Sequence, residues 1–411
     1  VPKLGNPRFQ AARMTQAREF IGFTKRELAR QCGLSEQSVS NYERDVGKPT
    51  DPVIANLAGR LNVPVSFFFN PIWKEQVGQV FWRAMRSDTL QSQKKTTQLL
   101  QWVIEAFDVL EGFVEFPDYR LPTVQTPEWY NLDEETIEEI AENARSHLGF
   151  GIHPIEDVTL ALENIGIPVL ALEIENPKQA GFAYFSRSLE RPIIGVNTYR
   201  QSLARQRFSL AHELGHLLMH RGVTEADLKT SHKNKLIENQ AHRFAAAFLF
   251  PRASFLREVH SCSLHEFAAL KREWGISITA QIIRAKDLGL VSDEQSQSLW
   301  KQAAKKGYMS SLGEPWDDIL PLERTRMLRR AVEAICAADS HLFDDLLREL
   351  PFPLHAMEEA FHHPLRALPA NESVVKLRTI SERDKMASKS VTAGEIDAEI
   401  YEHHNIVKLG R

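Results

Sequence analysis

Cysteine is scarce in this chain: three in 411 residues, Cys32, Cys262 and Cys336, far apart and in no metal-ligand spacing. That excludes a disulfide framework and a thiolate metal cage, and it points to a reducing compartment. Long apolar runs are also lacking. No run of about eighteen apolar residues occurs, so no transmembrane helix is expected, and the first residues, VPKLGNPRFQAARM, hold no apolar signal core. The expectation is a cytoplasmic protein with no membrane partner. A strong charge of one sign is missing too. The net charge of -4 says nothing about nucleic acid, because a basic module can hide inside an acidic average. No internal repeat is visible. With 43% apolar and 25% charged residues the composition is that of a globular protein, long enough for roughly two to four domains.

What the chain does have is one stretch rich in chemistry, residues 201–220, QSLARQRFSLAHELGHLLMH. Good helix formers recur at helical spacing around His212-Glu213-x-x-His216, which predicts a helix. Residues four apart share one helical face, so both imidazoles can reach one divalent ion. Zinc suits neutral imidazole and carboxylate ligands in this arrangement, with manganese as the alternative. Glu213 stands about 100° round the helix from His212. It is better placed to take a proton from water at the ion than to ligate, which is the work of a general base. Fifteen histidines produce this five-residue pattern by chance in roughly a few per cent of chains of this length. The helical context and a third ligand downstream are what single it out.

That ligand is expected from a helix over residues 235–250, KLIENQAHRFAAAFLF, stopped by Pro251. Glu238, Ala241, His242 and Ala245 share one face, and small side chains let two helices approach closely. Two histidines, a glutamate and an open water position form the composition of a catalytic site. His242 and His220 compete for the third place. His242 shares the Glu238 face, whereas His220 lies two turns from His212, a poor reach along one straight helix. Three apolar, β-branched runs, 167–174, 180–185 and 192–196, predict a small sheet. Either 180–185 or 192–197 is expected to offer an edge to a bound peptide. A donor for a developing oxyanion is sought among Tyr184, Tyr199, Arg205 and His232, and the sequence does not choose.

Residues 1–70 read as a separate module with ten Lys and Arg against six Asp and Glu. Five short helices are expected, the first over 8–21. Thr24 and Glu27 form a capping box for the second, Gly33 breaks the chain where left-handed backbone is easiest, and Ser35 caps the third. The spacing is that of a helix-turn-helix, with Leu34, Val39 and Tyr42 facing a small core. Gln37, Ser38, Ser40 and Asn41 project from the third helix as readers of base edges in the major groove. Lys25, Arg26, Arg44 and Lys48 are placed to meet phosphates. The implied partner is a double-stranded DNA operator, bound by a homodimer because paired modules read two half-sites.

Residues 71–127 look like a helical connector, with Trp73, Phe81 and Trp82 as packing anchors and a long helix over 92–115. An acidic helix over 132–147 is expected to turn its carboxylates to solvent, and a shorter helix follows over 154–165. Beyond Pro251 come helices over 279–288 and 292–307. Residues 308–411 form a helical C-terminal region with helices over 321–350 and 354–365. Arg324, Arg326, Arg329 and Arg330 read as a solvated face there, and the charged, Ser-rich tail carries no motif.

Two resemblances rest on these residues. PIIGVN, ARQRFSLAHELGHLLMH and IENQAHRFAAAFLFP together resemble the ImmA/IrrE family of bacterial metallopeptidase domains. The resemblance implies metal ligands His212, His216 and Glu238, a catalytic Glu213, a cytoplasmic setting and cleavage of repressor proteins. One departure is His242, where that pattern has Asn. GFTKRELARQCGLSEQSVSNYERDVGKPTDPVIANLAGRLNVPVSFFF resembles the phage-repressor-like (Xre) helix-turn-helix family, with Lys25 in place of Gln and Asp45 in place of Gly. The expected fold is α+β and mainly helical: a five-helix module (1–70), the connector (71–127), a zincin-like metallopeptidase domain with a small β-sheet (128–307) and the helical C-terminal region. The expected function is a DNA-binding regulator fused to a zinc-dependent endopeptidase that hydrolyses a regulatory protein. The alternative is a transcription factor whose peptidase-like domain senses a metal or ligand without turning over.

Overall fold

Local signals set the first helices. Asn6 closes a turn, its Oδ1 accepting from the Arg8 N–H at 3.0 Å, so α1 (Ala11–Ile21) starts later than residue 8. α2 (Lys25–Cys32) opens on the Thr24–Glu27 capping box and ends at Gly33, left-handed at φ 66°. α3 (Glu36–Glu43) is capped by Ser35, and Asp45 behind it holds φ 59°, a conformation that Asp tolerates better than most residues. α4 (Asp51–Leu61) carries Pro52 in its first turn, where a missing N–H costs nothing. The fifth expected helix is one 3₁₀ turn, Val65–Phe69. It goes no further because the carbonyls of Asn70 and Pro71 accept from the Arg13 guanidinium.

The computed structural model describes residues 5–73, 77, 90–122, 128–174, 180–338, 345–346, 349–350, 358 and 376–377. Phe81, Trp82 and nearly all of the helix expected over 354–365 lie outside them. The chain divides into two compact units, the first drawn from Val1–Phe116, Ser186–Glu190 and Leu328–Glu395. α5 (Leu90–Glu111), the helix expected in the connector, belongs to this first unit and packs along α1. The Trp102 ring lies 4.7 Å from Phe20, and buried Glu105 pairs with Arg13 at 2.9 Å. An unpaired charge at that depth would cost several kcal/mol, roughly. Burial lifts the Glu105 carboxyl above its usual range, and Arg13 offsets the rise only in part. α5 ends before residue 115 because Val114–Glu115 (β1) pairs antiparallel with Lys376–Leu377 (β5).

The described part of the second unit falls within Pro117–Phe185 and Arg191–Met327. Its sheet has the order β2-β4-β3, from β2 (Val169–Leu172), β3 (Gly181–Ser186) and β4 (Arg191–Asn197), with β2 parallel to β4 in register Val169↔Ile194. β4 is the middle strand and is buried from Pro192 onward, as a parallel strand covered on both faces should be. This corrects one expectation, since residues 192–197 have a neighbour on each side and cannot offer an edge. β3 lies at the rim. Gly195 has no side chain because the Phe182 ring fills the place, where a Cβ would stand 2.2 Å from it.

Helices enclose that sheet: α6 (Glu134–His147), α7 (Val158–Asn164), α8 (Leu203–Met219), α9 (Glu225–Lys229), α10 (Ser231–Leu249), α11 (Arg252–Glu258), α12 (Leu264–Trp274), α13 (Ile278–Asp287) and α14 (Asp293–Lys305). One core joins Ile194 and Val196 of β4 to Leu210 and Leu214 of α8 and Phe244 and Phe248 of α10. The acidic face of α6 is not wholly solvated. Glu138, 2% exposed, points inward beside Ile137 and Ala141 and takes both terminal nitrogens of buried Arg284, one at 2.7 Å. Arg326 also leaves the expected solvated face, to pair with Asp157 at 2.6 Å. The helix expected from 321 begins only at Met327 (α15, Met327–Ala338), because Glu323 is spent on Arg207 and on the first amides of α7. Among the described residues no helix is long and apolar enough to cross a membrane.

Candidate functional site

Ser202 starts α8 by accepting from the Arg205 N–H, and the helix then runs through the core with little of it in solvent. At Gly215 the neighbouring helix α10 comes so near that a Cβ would lie 2.8 Å from the Phe244 ring. Ala241 and Ala245, both fully buried, keep the contact close on the α10 side. The approach delivers Glu238. His212 Nε2 stands 3.2 Å from His216 Nε2 and 3.6 Å from Glu238 Oε2, and the ligand atoms of all three lie within 4.8 Å of one another. Two ligands at about 2.0–2.1 Å from a tetrahedral ion stand roughly 3.3 Å apart, so these spans suit a shared zinc-sized ion. Burial pushes the His212 imidazole down to about 3 and His216 well below its ordinary range, which keeps both neutral and able to donate lone pairs.

The two competing histidines lie elsewhere. His220 Nδ1 is 2.7 Å from His216 Nδ1, behind that ring rather than among the converging atoms. His242 has its ring 4.6 Å from that of His212 and stacks on Phe208, outside the converging group. His212 and Glu213 line a cavity of about 940 Å³, whose wall also includes Ala180, Gly181, Arg205, His242, Ile283 and Tyr308. Gly181 at the start of β3 passes close to Glu213: a Cβ there would stand 3.4 Å from its Oε1.

Of the four residues considered as oxyanion donors, Arg205 lines this cavity. Tyr184 is buried in β3, Tyr199 lies under the Arg200 guanidinium at 5.5 Å, and His232 is exposed at the start of α10. Tyr308–Ser311, Glu314 and Asp317 complete the cavity wall without any local motif to announce them. Gln240 was missed as well, although an amide between Ile237 and Phe244 on an apolar stripe is a readable signal.

On the N-terminal module, Gln37, Arg26 and Arg44 are exposed. Gln37 and Arg44 each donate to Asn41 Oδ1 at 2.9 Å. Ser38 Oγ meets Ser35 Oγ at 2.8 Å, and Ser40 Oγ lies 3.5 Å from Lys25 Nζ. Lys25 also pairs with Glu43 at 3.2 Å, and Lys48 donates to the Phe9 carbonyl at 2.8 Å while pairing with Asp45. Arg26 has no such partner among the described residues.

Comparison with known families agrees with both halves. The family described as IrrE N-terminal-like domain matches residues 162–286, which contain His212, Glu213, His216 and Glu238. The family described as helix-turn-helix matches residues 15–68. No curated protein matches the chain. The protein is thus a fusion of a helix-turn-helix module of the DNA-binding kind with a metallopeptidase-like domain of the ImmA/IrrE type.

Proposed function

We propose that the protein is a DNA-binding regulator whose second unit hydrolyses a peptide bond in a regulatory protein such as a repressor. The observation that carries this reading is the convergence of His212, His216 and Glu238 beside a cavity whose wall presents His212 and Glu213. Two neutral imidazoles and one carboxylate suit zinc, with manganese the nearest alternative. When bound, the ion supplies Lewis acidity to the scissile carbonyl. Glu213 takes the proton of the attacking water and returns it to the leaving amine. Arg205, on the same wall, binds a carbonyl or carboxylate oxygen of the peptide. An extended substrate runs alongside the first residues of β3, as strand addition requires.

In the first unit, Gln37, Ser38, Ser40 and Asn41 read bases of an operator, and Lys25, Arg26, Arg44 and Lys48 meet its phosphates. A homodimer supplies the second half-site. The free cysteines suit a cytoplasmic setting.

Glu213→Gln tests the enzymatic half. The variant should keep about one metal per chain while peptide cleavage falls by at least about a hundredfold. Full cleavage by it would overturn the proposal. A second reading, a domain that senses metal or ligand without turnover, is favoured by one observation: Arg205 is exposed, unlike a rigidly held oxyanion donor. On that reading Glu213→Gln leaves regulation intact and DNA affinity shifts with metal.

A further inference from the structure

Behind the converging ligand atoms, three buried side chains link the two helices and end on a backbone carbonyl. His216 Nδ1 lies 2.7 Å from His220 Nδ1, His220 Nε2 lies 3.0 Å from Gln240 Oε1, and Gln240 Nε2 donates to the Trp129 carbonyl at 2.8 Å. His216 and His220 are fully buried and Gln240, which borders the cavity, is 3% exposed, so little solvent competes for these bonds.

The direction of every hydrogen bond follows from the carbonyl end. A carbonyl only accepts, so the Gln240 amino group faces Trp129 and its oxygen faces His220. An amide oxygen also only accepts, so His220 carries a hydrogen on Nε2. The partners of His220 are an imidazole and an amide, which would leave a buried cation unpaired, so the ring is neutral and its Nδ1 is an acceptor. His216 must then carry its hydrogen on Nδ1. Its Nε2, the atom 3.2 Å from His212 Nε2, is left with a lone pair facing the site. His212 has no matching support, because its Nδ1 is buried with no hydrogen-bond partner among the described residues.

We infer that His220 and Gln240 are positioning residues which, through the Trp129 carbonyl, fix the tautomer and ring orientation of His216 and so set the affinity of the site for a divalent cation. Neither residue reaches the ion. The inference holds whether the domain cleaves or senses, and its failure is separable from that of the Glu213 role, because it is read as affinity and tautomer rather than as cleavage.

Gln240→Met in the full-length protein keeps the side-chain length and removes both hydrogen bonds. In a zinc competition against a chromophoric chelator it should bind roughly 10- to 100-fold more weakly than the unsubstituted protein. Unchanged affinity in a variant that melts normally would overturn the inference. Nitrogen NMR of the histidine rings in the unsubstituted, metal-free protein supplies a readout that a mere packing role would not dictate. His216 should carry its hydrogen on Nδ1 and His220 on Nε2, and the opposite arrangement in either ring overturns the inference even if Gln240→Met fails to fold.

Discussion

Two carboxylates, one in each unit, satisfy helix amides at opposite ranges. In the N-terminal module, Glu27 closes a capping box with Thr24 beside it in sequence, in full contact with solvent, and hydrogen bonds from Thr24 hold its carboxyl below the usual range. In the second unit, Glu163 takes the N–H groups of Arg326 and Met327 at 2.9 and 3.0 Å from far along the chain. There burial raises its carboxyl to about 7. A carboxylate over the first amides of a helix is cheap in water and costly in the interior. The candidate site residues follow the same division. Gln37, Asn41 and Arg44 bond to one another along one exposed helix, whereas His212, His216 and Glu238 meet from two helices inside the core. The first arrangement should tolerate truncation. The second is preorganised by packing and should fail when packing fails.

The largest effect is expected at Gly215, where the second arrangement can be broken without touching a ligand. A valine there drives its side chain into Phe244, an overpacking that costs roughly 1–3 kcal/mol. It also moves α10 outward and carries Glu238 away from the histidines. Zinc competition should show at least tenfold weaker binding, roughly, by analogy with loss of ligand support. Gln37→Ala, the matching change on the exposed helix, should alter stability by no more than about 0.5 kcal/mol. Gly215→Val with full metal affinity would mean that helix spacing does not assemble the site.

A smaller effect should separate the two capping glutamates. The native pKa of Glu163, about 7, lies above its ordinary 4.5, so the folded state holds the proton more tightly than the unfolded state does. Its stabilising contribution is complete below pH 4.5 and is lost as pH rises through 7. The shift corresponds to roughly 3–4 kcal/mol. Arg326 opposes the rise and Asp157 adds to it, but desolvation leads. Thermal denaturation between about pH 5 and 8 should therefore show the unsubstituted protein losing stability relative to Glu163→Gln, which cannot ionise. Parallel curves would show that this carboxyl is as well solvated as Glu27 and remove the contrast.

What the sequence disclosed follows the same line. Thr24, Glu27, Gly33 and Ser35 act within a turn of where they stand, so the helix-turn-helix was legible residue by residue. His212, Glu213 and His216 share one helix, and the small residues beside Glu238 announced the close approach that completes the set. Pairings over long stretches of chain left no local trace. Glu138 meeting Arg284, Glu323 meeting Arg207 and the Tyr308–Ser311 wall of the cavity depend on tertiary packing; the first displaced an expectation about a solvated face and the second one about a helix start. The middle position of β4 was hidden for the same reason, because a short apolar run does not say how many neighbours it has.

The smallest effect tests whether the exposed surface is pre-set or rearranges on binding. Arg26 is exposed without a partner among the described residues, while the Lys48 ammonium is held by the Phe9 carbonyl at 2.8 Å and by Asp45. Each phosphate contact contributes about 0.9 to the slope of log affinity against log salt concentration on duplex DNA. Arg26→Ala should therefore flatten that slope by about one, weakening binding to all sequences alike. Lys48→Ala should flatten it by less and lower the melting temperature slightly, because a carbonyl in the module loses its donor. Equal flattening by the two variants would mean that Lys48 gives up its internal bonds to reach DNA. The polar surface would then be a set of local pairs exchanged for phosphates on contact, and tolerance of truncation in the free protein would say nothing about its importance in the complex.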